Sequence, residues 1–381
     1  MKNFIIFSLV YIFIFSGYYL TTSFLNILYP NQAFLSFAVF SSVYSLGSLF
    51  APFIVSRINI KITLFVSCLC FGIFIGFSGS AILSLLLIGS AIGGFGNSLI
   101  WLVQGTFLDV EQLGLFYTLY NINIILGNIF GLIVLLTGLS VQIMILSILG
   151  LTGIGCILSF FVKPKMNGVK KIELREILKI FLVFKKCYWL IPCYLYQAIG
   201  LNITFQIIPR LLIATTDETL QIKSIYNAVI FIVYGIFAMG FSFIWGKLFM
   251  KNWKFVVIPY SILEIICLIS ILMLAIYNRY PGLWIIIGAL RGCIDYGINN
   301  TINITLSKEE EDVSNLYGFY RFIYAIAYLL SSICIGYIPY QYVLLICLIF
   351  LLFSTISYIL KKRMEIEEQF NNSKIVISSI V

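Results

Sequence analysis

Apolar stretches of about 20 residues recur along the whole chain of 381 residues, and short segments holding most of the charged residues separate them. An α-helix of that length crosses the hydrocarbon core of a bilayer, which is roughly 30 Å thick. Only 10% of the residues are charged, whereas soluble domains have about 25%. The mean hydropathy of +1.06 is also typical of a membrane protein. We therefore expect an integral membrane protein and exclude a soluble globular one.

The apolar stretches are continuous rather than alternating. The segments Leu83 to Leu87 and Val343 to Phe353 are nearly free of polar residues. Transmembrane β-barrels instead consist of segments of about 10 residues in which apolar and polar side chains alternate. The sequence therefore predicts an all-α polytopic membrane protein.

Hydropathy predicts about twelve transmembrane helices. The predicted spans are 4–26, 33–55, 62–78, 82–104, 114–138, 141–162, 188–213, 224–246, 255–277, 282–306, 315–338 and 341–360.

The distribution of Lys and Arg predicts the orientation of these spans. One set of alternate segments, including both termini, carries 19 of the 24 basic residues. The opposite set carries only Arg210, Lys223 and Arg279, and the other two basic residues lie inside spans. Because cytoplasmic loops hold the excess of Lys and Arg, both termini are expected in the cytoplasm.

One long basic segment, residues 163–186, divides six spans from six. We expect two six-helix bundles at residues 1–162 and 187–360, followed by a cytoplasmic tail at 361–381. The segment between the bundles has the spacing of an amphipathic helix, which could lie on the inner leaflet of the bilayer or dock a partner.

A glycine pattern supports an internal repeat of six helices. Gly89 and Gly93 in the fourth span recur as Gly288 and Gly292 in the tenth span, 199 positions later. Two parallel repeats of six helices around a central cavity are the organisation of the major facilitator superfamily.

Four charged residues lie inside the spans, where a charge is costly and by default indicates a functional site. They are Glu264, Arg291, Asp295 and Arg321. One interpretation is a site for a substrate or a proton. The alternative is a structural ion pair of Arg291, Asp295 and Arg321 that holds spans ten and eleven together, while Glu264 has no basic partner nearby in the sequence.

Uncharged polar residues provide further candidates for a cavity wall. Asn97, Trp101 and Gln104 share one face of span four, and Gln197 and Asn202 lie in span seven. Such side chains must find hydrogen bonds, either with neighbouring helices or in a wet cavity. The sequence leaves both alternatives open.

The composition also argues against several other classes of function. The chain has no histidine, so the common catalytic and metal sites that depend on imidazole are not expected. The net charge of +9 lies mostly between spans, which indicates topology rather than nucleic-acid binding. We expect no enzymatic activity, no cofactor and no bound metal.

Several short motifs resemble the uncoordinated-93 (Unc-93-like) family of the major facilitator superfamily. They are WLVQGTFL at 101–108 after Gly94 and Gly96, APFIV at 51–55, Gly127 with Asn128, and Gly292 with Asp295 and Asn299. The resemblance runs from about Gly17 to Leu360. The chain departs from it at Asn59 and Ile60, where many members have Gly-Pro, and Ser56-Arg57 lacks the acidic residue common in facilitators.

The resemblance implies a facilitator fold and a role like that of the better-known members, which regulate a potassium channel or escort membrane receptors. The sequence therefore predicts a monomeric regulatory or escort subunit with a membrane-protein partner. The alternative is a secondary transporter that moves a small solute by alternating access, with or without proton coupling.

Overall fold

The computed structural model describes residues 2–163, 187–277, 280–307 and 313–380. The predicted basic segment at 163–186 lies outside these residues except for Lys163. The described residues form helices joined by short turns, which confirms the prediction of an all-α chain.

Within the described ranges, twelve helical elements follow one another. They are α1 (Lys2–Leu28), α2 (Ala33–Arg57), α3 (Ile60–Ser78), α4 (Leu83–Phe107), α5 (Val110–Tyr120 and Ile122–Leu136), α6 (Val141–Ser147 and Leu149–Ser159), α7 (Ile191–Asn202, Ile203–Ile207 and Ile208–Thr215), α8 (Leu220–Lys251), α9 (Lys254–Tyr277), α10 (Leu283–Ser307), α11 (Val313–Tyr337) and α12 (Tyr340–Ile380).

Eleven of these elements are long and apolar enough to cross a membrane. The remaining element, α10, contains Arg291 and Asp295 among its buried residues. The spans predicted from the sequence coincide with the twelve elements, but several helices are longer. The last element continues to Ile380 instead of ending near residue 360, because a helix does not stop where the apolar stretch stops.

The middle of α7 departs from regular α-helix. Residues Ile203–Ile207 form a π-helical turn, and Pro209 follows it. Proline has no N–H, so it cannot donate to the carbonyl of Phe205 four residues earlier. The side-chain amide of Asn26 on α1 donates to that carbonyl at 3.3 Å. Two helices from different halves of the chain are thereby joined at a backbone irregularity.

Glycines allow the fourth helix of each half to pack closely on the second. A Cβ built at Gly94 of α4 would lie 2.2 Å from the carbonyl oxygen of Phe40 on α2. A Cβ built at Gly292 of α10 would lie 2.3 Å from the carbonyl oxygen of Tyr234 on α8. Small residues at helix crossings are typical of membrane bundles. The same packing thus occurs in both halves.

The two halves contact each other along α2 with α11 and along α5 with α8. Asn121 of α5 donates to Ser242 of α8 at 2.8 Å, and Asn227 of α8 donates to the carbonyl of Ser23 on α1 at 3.0 Å. Between these two lines of contact, the inner faces of the two halves surround a central cavity.

Candidate functional site

The central cavity has a volume of about 70 Å³. Seven helices form its wall, four from the first half and three from the second. The lining residues are Phe15, Tyr18, Tyr19, Thr22, Tyr44, Asn97, Trp101, Tyr120, Gln197, Leu201, Phe205, Asp295, Tyr296, Asn299, Arg321, Tyr324 and Tyr328.

Aromatic rings make up most of the wall, ten of its seventeen residues. The ring centroids of Trp101 and Phe15 are 5.3 Å apart, and those of Trp101 and Tyr120 are 5.4 Å apart. The hydroxyl of Tyr120 donates to the hydroxyl of Tyr19 at 2.9 Å. Aromatic rings that are tilted or edge-on at these distances pack favourably, and the tyrosine hydroxyls can still form hydrogen bonds. The wall can therefore contact both apolar and polar parts of a small molecule.

On the α10 side, Asp295 is the acidic residue of the wall. One of its carboxylate oxygens pairs with Arg291, one helical turn earlier. The other oxygen accepts hydrogen bonds from Thr204 of α7 at 3.0 Å and from Tyr234 of α8 at 2.9 Å. Both oxygens of Asp295 are therefore already engaged by neighbouring helices.

Behind Asp295 lies a fully buried guanidinium that joins three helices. Arg291 donates from Nη1 to Glu264 of α9 at 2.5 Å and from Nη2 to the carbonyl of Gly200 at 2.9 Å. Its Nε donates to the hydroxyl of Thr204 at 2.9 Å. We call Glu264, Arg291 and Asp295 the charged triad. Glu264 has no basic partner nearby in the sequence, but the fold brings Arg291 beside it.

On the α11 side, Arg321 is the basic residue of the wall and is only 5% exposed. Its Cζ lies 4.5 Å from the ring centroid of Trp101 and 4.5 Å from that of Tyr320. Among the residues that the structure describes, no carboxylate pairs with it, and Nε and Nη2 have no hydrogen-bond partner. The predicted alternative, a structural ion pair of Arg291, Asp295 and Arg321, is therefore wrong for Arg321 and span eleven. Arg291 pairs with Asp295 on α10 and with Glu264 on α9.

The remaining predicted residues occupy two kinds of place. Asn97 and Gln197 lie on the cavity wall, where Gln197 donates to Asn299 at 3.1 Å and accepts from Tyr320 at 2.6 Å. Gln104 is fully buried outside the cavity wall, and neither polar atom of its side-chain amide is hydrogen bonded to a described residue. Asn202 lies between α7 and α11 and donates to the carbonyl of Tyr328 at 2.8 Å.

The structure thus brings five of the nine predicted residues to one wall: Asn97, Trp101, Gln197, Asp295 and Arg321. It places Glu264 and Arg291 directly behind Asp295 and leaves Gln104 and Asn202 between helices. Among the described residues, no group of three His, Cys, Asp or Glu side chains is placed to hold a metal ion.

Apart from Trp101, sequence reasoning missed the aromatic residues of the wall. One signal was present on α11, where Tyr317, Tyr320, Tyr324 and Tyr328 follow one another at spacings of three and four residues around Arg321. A polar aromatic stripe that shares a helix face with an intramembrane charge indicates a cavity face better than an isolated amide does.

Comparison with known proteins is informative for the fold. Neither a protein-family model nor a curated protein matches the sequence. Among solved structures, the chain is similar to a variant of the E. coli fucose:proton symporter, with a TM-score of 0.67 and 12% sequence identity. The similarity covers 94% of this chain and 98% of the symporter.

At 12% identity this likeness establishes the fold alone. The chain is an integral, multi-pass membrane protein with the fold of the major facilitator superfamily, as the sequence predicts. No family model supports the narrower resemblance to the Unc-93-like family.

Proposed function

We propose that this protein is a secondary transporter that moves a small solute through the central cavity by alternating access. The observation that carries the proposal is the cavity itself, which both halves line and into which Asp295 and Arg321 face. Charges buried in a membrane are costly and are retained mainly where they act on substrates or ions. The regulatory or escort role depends on the sequence resemblance alone, so the cavity favours transport.

Contacts between the halves at both ends of the cavity support alternating access. At the end where α2 begins, the rings of Phe34 and Tyr337 have centroids 5.2 Å apart. At the end where α4 finishes, Gly105 of α4 packs against the ring of Tyr317 on α11. The approach is so close that a Cβ built at Gly105 would lie 2.5 Å from that ring. Rocking of one half against the other would open these two contacts in turn.

The charged triad is suited to proton coupling. Two carboxylates, Glu264 and Asp295, share the single guanidinium of Arg291. With both carboxylates ionised the triad has a net charge of −1 in a medium of low dielectric, and one proton would neutralise it. Asp295 lies on the cavity wall, so this proton can be exchanged when solute binds. We therefore extend the proposal to proton-coupled transport.

The topology completes the proposal. From the distribution of Lys and Arg between the spans, we infer that both termini lie in the cytoplasm. We infer that residues 1–162 and 187–360 are the two bodies that move, and that a single chain is the working unit.

Uptake of a solute mixture into proteoliposomes tests the proposal for any solute class at once. Vesicles containing the purified protein are incubated with a defined mixture of small solutes, with and without an inward proton gradient. Their contents are then measured by mass spectrometry after washing. We expect at least one solute to accumulate, and to accumulate more with the gradient.

Two tryptophan variants provide the controls. Asn97→Trp fills the cavity and should abolish accumulation. Leu69→Trp lies on the outer surface of α3, where Leu69 is 46% exposed, and should leave accumulation unchanged. Accumulation that is equal in all three proteins and in empty vesicles would rule the proposal out.

A further inference from the structure

Arg321 is a permanent positive charge in the wall of the cavity and lacks an acidic partner in the described part of the chain. Arginine stays protonated at any physiological pH, so this charge cannot be removed by losing a proton. Its guanidinium lies against the rings of Trp101 and Tyr320, which contributes a cation–π interaction. Its Nε and Nη2 have no hydrogen-bond partner of standard geometry among the described residues.

The groups around Arg321 are uncharged. Tyrosines on four helices lie within electrostatic range of its guanidinium, namely Tyr11, Tyr19, Tyr44, Tyr117, Tyr317, Tyr320 and Tyr324. The hydroxyls of Tyr44 and Tyr117 have no hydrogen-bond partner of standard geometry. A guanidinium only donates hydrogen bonds, whereas a phenol both donates and accepts, so the tyrosines around Arg321 supply acceptors but no negative charge.

The acidic residue of the cavity wall does not satisfy these donors. Both oxygens of Asp295 are engaged by Arg291, Thr204 and Tyr234. Arg291 is shared between Asp295 and Glu264, so the triad is neutral when it holds one proton. In that protonated state, the uncompensated charge that a bound molecule meets in the cavity is the positive charge of Arg321.

We infer that the solute is a small organic anion, a carboxylate attached to an apolar or aromatic body. Arg321 would receive the carboxylate through its planar edge, the geometry that favours arginine at carboxylate sites. The aromatic wall, with Phe15, Trp101 and Tyr120, would contact the body of the solute. This inference depends on the proposed function and specifies the class of solute.

Three probes with the same phenyl ring test the inference. Benzoate is an anion, benzamide is neutral and benzylamine is a cation. The purified protein in lipid nanodiscs is titrated with each probe, and its melting temperature is recorded. Benzoate should raise the melting temperature, whereas benzamide and benzylamine should not. Equal shifts for all three probes, a preference for benzylamine, or no shift with benzoate would overturn the inference.

Substitutions of Arg321 locate the binding site. Arg321→Gln should weaken benzoate binding by about 10- to 100-fold, the value of a charge-assisted hydrogen bond. Arg321→Lys keeps the charge but not the planar fork, so we expect an intermediate loss. Arg210→Gln, on an exposed arginine that donates to the carbonyl of Ile335 at 2.7 Å, should bind benzoate like the unmodified protein.

The two proposals fail in different ways. Accumulation of only neutral or cationic solutes in the proteoliposomes, unaffected by Arg321→Gln, would overturn the anion inference and leave transport intact. Benzoate binding that depends on Arg321, with no solute accumulating in any vesicle, would contradict transport and leave an anion-binding site.

Discussion

Two buried arginines on neighbouring helices have opposite surroundings. Arg291 is fully buried and each of its nitrogens donates to the protein, to Glu264, Asp295, Thr204 and Gly200. Arg321 is almost as buried but stacks between two rings, without a carboxylate among the described residues. The first arginine is part of the protein's internal structure. The second arginine can still bind a ligand. The presence or absence of protein partners therefore distinguishes a structural arginine from a ligand-binding one.

The largest expected effect follows from removing the structural charge. Arg291→Met leaves Glu264 and Asp295 buried without a cation, so we expect a loss of about 3–5 kcal/mol in the free energy of unfolding. Unfolding by denaturant in mixed micelles measures this loss. A loss under about 1 kcal/mol would show that the triad is not a buried, interdependent set.

A neutral triad should recover much of that loss. In the triple variant Glu264→Gln, Arg291→Met, Asp295→Asn no unpaired charge remains, and replacing a buried ion pair completely costs less than breaking it. We expect the triple variant to regain about 2 kcal/mol or more relative to Arg291→Met alone. Unfolding by denaturant measures this difference as well. A triple variant less stable than Arg291→Met would contradict the claim that the unpaired carboxylates cause the loss.

A smaller effect is expected at Thr204, whose hydroxyl accepts from Arg291 and donates to Asp295. Thr204→Val keeps the shape but leaves both partners short of one bond, so we expect a loss of about 1–3 kcal/mol. Thr301→Val is the matched control, because the hydroxyl of Thr301 bonds only within its own helix, to Gly297 at 2.8 Å. Equal losses in the two variants would show that the bridge contributes nothing specific.

The smallest change in stability is expected at Arg321. Arg321→Met removes cation–π contacts worth about 0.5–2 kcal/mol but also removes the cost of burying an unpaired charge. We expect the free energy of unfolding to change by less than about 1 kcal/mol. A loss as large as that of Arg291→Met would show that Arg321 has a structural partner, and the comparison would then fail.

The fold was predictable from the sequence because its cause is local. The length of an apolar stretch and the sign of the charges between stretches specify a helical, multi-pass chain residue by residue. Helix ends were less predictable. Helix α5 begins at Val110 rather than near residue 114, because a helix can include polar residues that lie beyond the apolar stretch.

The site was only partly predictable because it depends on which helices meet. The sequence identified Asp295 and Arg321 through their charge. It could not show that Glu264, 27 positions from Arg291, lies 2.5 Å from it. It also could not separate Asn97, on the cavity wall, from Gln104, buried outside that wall, because both lie on the same face of α4.

Distances between the two halves test the central claim most directly. Spin labels on Asn31 and Glu218 report one face of the protein, and labels on Ile58 and Lys251 report the other, since all four side chains are exposed. Pulsed electron spin resonance in nanodiscs gives the distance distribution for each pair. Alternating access predicts two distance populations on each face, with the long distance on one face favoured by conditions that favour the short distance on the other. A single unchanging distance on both faces, at every proton concentration and with every probe, would contradict transport by this chain.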